Sequence, residues 1–141
     1  MWFPIMLESF PLIDACGTHS ELGRQHGEQC RDRVLGFLDY LGSTLQLTSA
    51  EIESRAMRFL PLFEQHCPHL VEEIRGLADG SGVRFERALA VQIRGELSQA
   101  ERGGCTTFVI SARGTATGGI LIGQNSDMDP EMEQFGYVLR L

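Results

Sequence analysis

Arg102-Gly103-Gly104-Cys105-Thr106-Thr107-Phe108 is the stretch at which the chain changes character. A helical apolar pattern stops before it, and a run rich in β-branched and aromatic residues starts within it. Two glycines precede the cysteine, so the backbone there reaches angles closed to other residues. Two threonines follow and offer hydroxyls beside the Gly104 carbonyl. A cysteine in this setting can attack the carbonyl just before it and cut its own backbone. Cys105 would then be a new chain start, carrying a thiol and a free amine on one residue, a compact nucleophile and base. The plainer reading is a small hydrophobe that opens a buried strand.

Downstream, Thr106-Thr107-Phe108-Val109-Ile110-Ser111 reads as a strand, Thr117-Gly118-Gly119 as a turn, and Ile120-Leu121-Ile122-Gly123-Gln124 as a second strand. The stretch 105–125 is therefore expected to be a hairpin. Its end returns beside its start, so Asn125 and Asp127 are expected to face Cys105. There Asp127 would hold or orient the amine and Asn125 would donate to an oxyanion. The competing reading of Gly123-Gln124-Asn125-Ser126-Asp127 is an ordinary turn. Gly136-Tyr137-Val138-Leu139-Arg140-Leu141 reads as a third strand.

Upstream, the reading is helical. Residues 3–7 and 10–15 are short strands or extended arms. Thr18 or Ser20 caps a helix that runs to about residue 42, with Leu22, Val34, Leu35, Leu38 and Leu41 on its apolar face. Gly23, Gly27 and Gly36 either permit close packing there or delay the helix start. Thr48-Ser49-Ala50-Glu51 is a capping box, and Pro61 kinks or ends the helix it opens. Pro68 starts another helix, which Gly80 and Gly82 stop. Phe85 to about Leu97 forms one more. On that last helix Arg94-Gly95-Glu96 precedes the cysteine, and Arg94 and Glu96 can serve bidentate pairing with a carboxylate or simply a solvated surface.

Composition narrows the classes. At 43% hydrophobic and 22% charged residues, the chain suits one globular domain. A net charge of −7 with no basic run excludes nucleic acid as a partner. All the basic side chains are arginine, so a Schiff-base lysine and a phosphate-loop lysine are both excluded. An amine base would come from Cys105 after a cut; an unperturbed α-amine titrates at about 7.7–8.0, which suits a general base. Four cysteines without CxxC spacing read as reduced thiols in the cytoplasm. The opening Met1-Trp2-Phe3-Pro4 has no basic region typical of a signal peptide. No apolar run approaches the roughly 20 residues of a membrane span. His66-Cys67-Pro68-His69 lacks zinc spacing, and no metal is expected.

Four blocks carry a resemblance. Gly17-Thr18-His19-Ser20-Glu21-Leu22-Gly23-Arg24-Gln25-His26-Gly27 looks like an opening-helix signature, and Glu72-Glu73-Ile74-Arg75-Gly76-Leu77-Ala78 like a mid-helix one. Arg94-Gly95-Glu96 and the pair Gly104-Cys105-Thr106-Thr107 and Gly123-Gln124-Asn125-Ser126-Asp127 complete the set. Together they resemble the acyl-coenzyme A:6-aminopenicillanic acid acyltransferase family, the C45 self-processing peptidases among the N-terminal-nucleophile (Ntn) hydrolases. The resemblance implies self-cleavage between Gly104 and Cys105, then acyl transfer or amide hydrolysis by Cys105 with Asp127. Thr106, Asn125, Arg94 and Glu96 are the supporting residues. The partner is a small-molecule amide or acyl substrate; no cofactor is bound, and acyl-coenzyme A is admitted as a co-substrate. Ser126 stands where the family often has a bulky aromatic, so the pocket differs.

The expected fold is α+β: a helical pro-region (1–104), then the first antiparallel strands of an αββα sandwich (105–141). The span from Cys105 to Leu141 accommodates about three strands at 5–6 residues each plus turns. The sandwich is therefore expected to be incomplete, the chain to be the front part of a longer protein or a truncated reading frame, and this piece to have little activity alone. Exposed sheet edges then favour self-association. The rival from another class is a non-catalytic helical interaction module on the same scaffold.

Overall fold

A computed structural model describes residues 10–97 and 104–141. The expected strand at 3–7, and Arg102 and Gly103 of the junction, lie outside the described residues. The architecture is α+β, mostly helices with a few short strands. Two compact units divide the described residues. One joins 10–97 with Gln134–Leu141, and the other holds 104–133.

The helical unit begins with β1 (Leu12–Asp14) and the long helix α1 (His19–Leu45). Thr18 caps α1. Its backbone N–H donates to Glu21 Oε2 at 2.8 Å, and its hydroxyl accepts from Glu21 N–H at 3.4 Å. These bonds to Thr18 hold the Glu21 carboxyl below its usual range. The second capping box forms as expected, with Thr48 ahead of α2 (Ser49–Met57). Pro61 ends that stretch as a helix and sits in the first turn of the next, α3 (Leu60–His66), where its missing N–H costs nothing. Pro68 likewise opens α4 (Pro68–Ser81).

Glycines set how α1 and α4 meet. A Cβ on Gly23 would lie 1.9 Å from Glu73 O, and one on Gly27 2.5 Å from Leu77 O. From the other side, a Cβ on Gly76 would lie 2.2 Å from Ser20 O, and one on Gly80 2.1 Å from Arg24 O. The two backbones therefore touch along a stripe spaced four residues apart on each helix. Gly80 does not stop α4, contrary to the sequence expectation. It lies inside the helix as a packing residue, and the stop is Gly82, whose φ of 71° is left-handed.

Val34, Phe37, Leu38 and Leu41 of α1 share a core with Val71, Ile74, Leu77 and Ala78 of α4 and with Ala88, Leu89 and Ala90 of the next helix. That helix is α5 (Phe85–Gln92), and α6 (Arg94–Leu97) follows it. The single helix expected over 85–97 is thus broken at Ile93, which leaves helical angles (φ −110°, ψ 27°). Among the described residues, no helix is long and apolar enough to cross a membrane.

The second unit is the expected hairpin. β2 (Cys105–Ile110) pairs antiparallel with β3 (Leu121–Ser126), Cys105 opposite Ser126 and Ile110 opposite Leu121. Gly118 makes the turn at φ 71°. The last strand, β4 (Val138–Arg140), does not extend this hairpin. It pairs parallel with β1, Leu12 opposite Val138, and Arg140 grips Asp14 through two hydrogen bonds of 2.5 and 2.9 Å. Aromatic packing draws it there, because Phe135 lies 5.8 Å from the rings of both Phe37 and Tyr40 on α1.

Candidate active site

Five of the seven site residues gather at the open end of the hairpin. Strand pairing sets Thr106 opposite Asn125 and Cys105 opposite Ser126. One step beyond the paired residues, the Asp127 N–H donates to the Gly104 carbonyl oxygen at 2.8 Å. The Asp127 carboxylate lies on the same residue: Oδ2 is 3.4 Å from where a Cβ on Gly104 would stand. Gly104, Cys105, Thr106, Asn125 and Asp127 are all exposed.

Side chains alternate between faces along a strand, and directly opposed residues share a face. Thr106 and Asn125 therefore share one face of the hairpin, and the Cys105 thiol leaves from the other. The sequence had Asn125 and Asp127 facing Cys105 together. The register makes a finer distinction. Asp127 meets the peptide unit that joins Gly104 to Cys105, whereas Asn125 stands across from Thr106. Arg94 and Glu96 are exposed on α6 and belong to the helical unit.

A second polar cluster lies inside the helical unit. His26, buried on α1, meets Tyr137 just before β4, with Nε2 and the phenol oxygen 2.6 Å apart. Burial pushes the His26 imidazole below its usual range, and Glu73 opposes this in part. Burial pushes the Tyr137 phenol up, Cys30 adds to that, and Arg94 and Arg33 oppose it. A cavity of about 40 Å³ beside His26 is lined by Phe63, Glu73, Leu77 and Gln92 among others, room for a water molecule. Nothing local in the sequence marks the partner of His26. Tyr137 is 111 residues away, and the β1–β4 pairing brings it back. Among the described residues, no group of three His, Cys, Asp or Glu side chains is placed to hold a metal.

No family model matches the chain. Over 118 residues, 79% of its length, the chain is 28% identical to the 40 kDa form of acyl-coenzyme A:6-aminopenicillanic-acid acyltransferase from Emericella nidulans. It spans 32% of that relative. The similarity supports a distant relationship to that acyltransferase.

Proposed function

We propose that this chain carries the cleavage site and nucleophile of a self-processing Ntn-type acyltransferase or amidohydrolase. One observation carries the reading. The Gly104–Cys105 peptide sits exposed where β2 begins, with the Asp127 carboxylate against Gly104. The distant acyltransferase relative supports it from outside the geometry.

Cutting that peptide exposes the Cys105 α-amine at the point where Asp127 already lies. A carboxylate beside an ammonium holds and orients it. The amine, titrating in the neutral range, takes the thiol proton as sulfur attacks a substrate carbonyl. The same proton then goes to the departing group, and an acyl thioester is left on Cys105. Water resolves it by hydrolysis, and another acceptor resolves it by transfer. The substrate class is a small-molecule amide or acyl compound, with acyl-coenzyme A as a donor. In the proposed architecture β2 and β3 are the first strands of an αββα sandwich.

Denaturing mass spectrometry of the purified full chain tests the reading. Wild type should yield a species that starts at Cys105, and Cys105→Ala should remain one uncut mass. A wild-type chain that stays whole indefinitely under native conditions refutes the proposal.

A further inference from the structure

We infer that the backbone N–H of Asp127 is the oxyanion donor for the self-cleavage step; this rests on the self-processing reading above. In the uncut chain the Asp127 N–H already donates to the Gly104 carbonyl oxygen at 2.8 Å, so the donor is in place before the oxygen takes up negative charge. The acceptor is the oxygen of the carbonyl that the proposed chemistry attacks.

The Cys105 sulfur attacks the Gly104 carbonyl carbon, closing a five-membered ring through Cβ, Cα and N. The carbonyl π electrons move onto the oxygen, so negative charge gathers where the Asp127 N–H already points. The C–N bond then breaks, nitrogen takes the proton that sulfur gave up, and a thioester joins Gly104 to Cys105. Water hydrolyses it to a Gly104 carboxylate, the Cys105 thiol and a free α-amine. No oxidant, reductant or further reactant enters.

A main-chain donor suits this task. It has no rotamer to lose and no proton to give away at neutral pH. Its position is fixed by the six residue pairs of β2 and β3. The donor therefore needs little reorganisation as the charge forms, which is the source of its effect. Its own carboxylate lies against the same glycine, so one residue divides its labour: the backbone serves the cut, and the side chain serves the amine that the cut releases.

The alternative is that this bond is one more rung of the ladder and nothing else. Exchanging the N–H for an ester oxygen separates the two. The α-hydroxy counterpart of Asp127 is incorporated into the full chain by nonsense suppression, leaving the side chain unchanged. The same exchange at Leu121, at the same ladder parity at the far end of β3, is the control. The Cys105-starting species should appear about 10²–10³ times more slowly with the ester at 127 and near the wild-type rate with the ester at 121. Equal rates with the ester at 127 and in wild type overturn the inference and leave self-processing standing. Equal slowing by both esters also overturns it, since the bond is then only structural. A wild-type chain that never cuts overturns both readings.

Discussion

Replacing Gly23 by alanine tests the contact on which the helical unit is built. The added methyl carbon would arrive 1.9 Å from Glu73 O and 2.8 Å from Glu73 C and Leu77 N. All three are backbone atoms of α4, so no side chain can turn aside, and the helices must separate. Overpacking of this kind costs about 1–3 kcal/mol, and contact with main chain puts it at the upper end. Alanine returns about 1 kcal/mol of helix propensity, which leaves a net loss of about 2 kcal/mol. Unfolding entropy of about 2.1 cal/mol/K per residue gives roughly 0.2 kcal/mol per degree for a unit of roughly 100 residues, so Tm should fall by about 10 °C. Gly42 is the internal control on the same helix. A Cβ there meets nothing nearer than Leu47 O at 3.5 Å. Gly42→Ala should therefore gain about 0.5–1 kcal/mol and raise Tm by a few degrees. Differential scanning calorimetry on the three proteins decides it. A Gly23→Ala chain as stable as wild type refutes the close-packing argument.

Burial lowers the His26 pKa, so the folded chain refuses a proton that the unfolded chain accepts. The contribution is therefore neutral above the unfolded value of about 6.5 and turns destabilising as pH falls below it, at up to about 1.4 kcal/mol per pH unit until the folded value is reached. Wild type should lose more Tm between pH 7.5 and 5.5 than His26→Gln does, and identical losses refute this. The apolar hairpin predicts self-association. Val109 is 65% exposed and Ile122 66%, so light scattering on the eluting chain should show mass rising with concentration. The double change Val109→Lys with Ile122→Lys should suppress that rise, and a strict monomer at every concentration argues against it.

What the sequence made legible was local. The cap at Thr18, the capping box at Thr48, the helix opened by Pro68 and the hairpin turn each depend on residues within a few positions of one another, and each forms. What it hid was mostly non-local. Gly80 looks like a helix stop in one dimension, and the partner backbone of α1 explains it. The break at Ile93 interrupts a helix whose apolar spacing runs on without a glycine or proline before it. At the junction, Asp127 was legible as a side chain near the cysteine. Its main-chain bond to Gly104 was not, because a backbone N–H is the same in every residue but proline and leaves no mark on the sequence.

Register links these observations to the chemistry. The Phe108 ring lies across Gly123 on the opposite strand, where a Cβ would come 2.3 Å from Cζ. Only glycine accepts the ring there, so the pairing is pinned at that rung in the manner of an aromatic covering a strand glycine. Further along β3 and its exit, the same pinning sets Ser126 against Cys105 and then Asp127 N against Gly104 O. A slip of one residue would turn every side chain of a strand to the other face and present a different amide to that carbonyl. The apolar end of the hairpin thus positions its polar end. Phe108 and Gly123 touch no reacting atom, yet they set which N–H the Gly104 carbonyl meets.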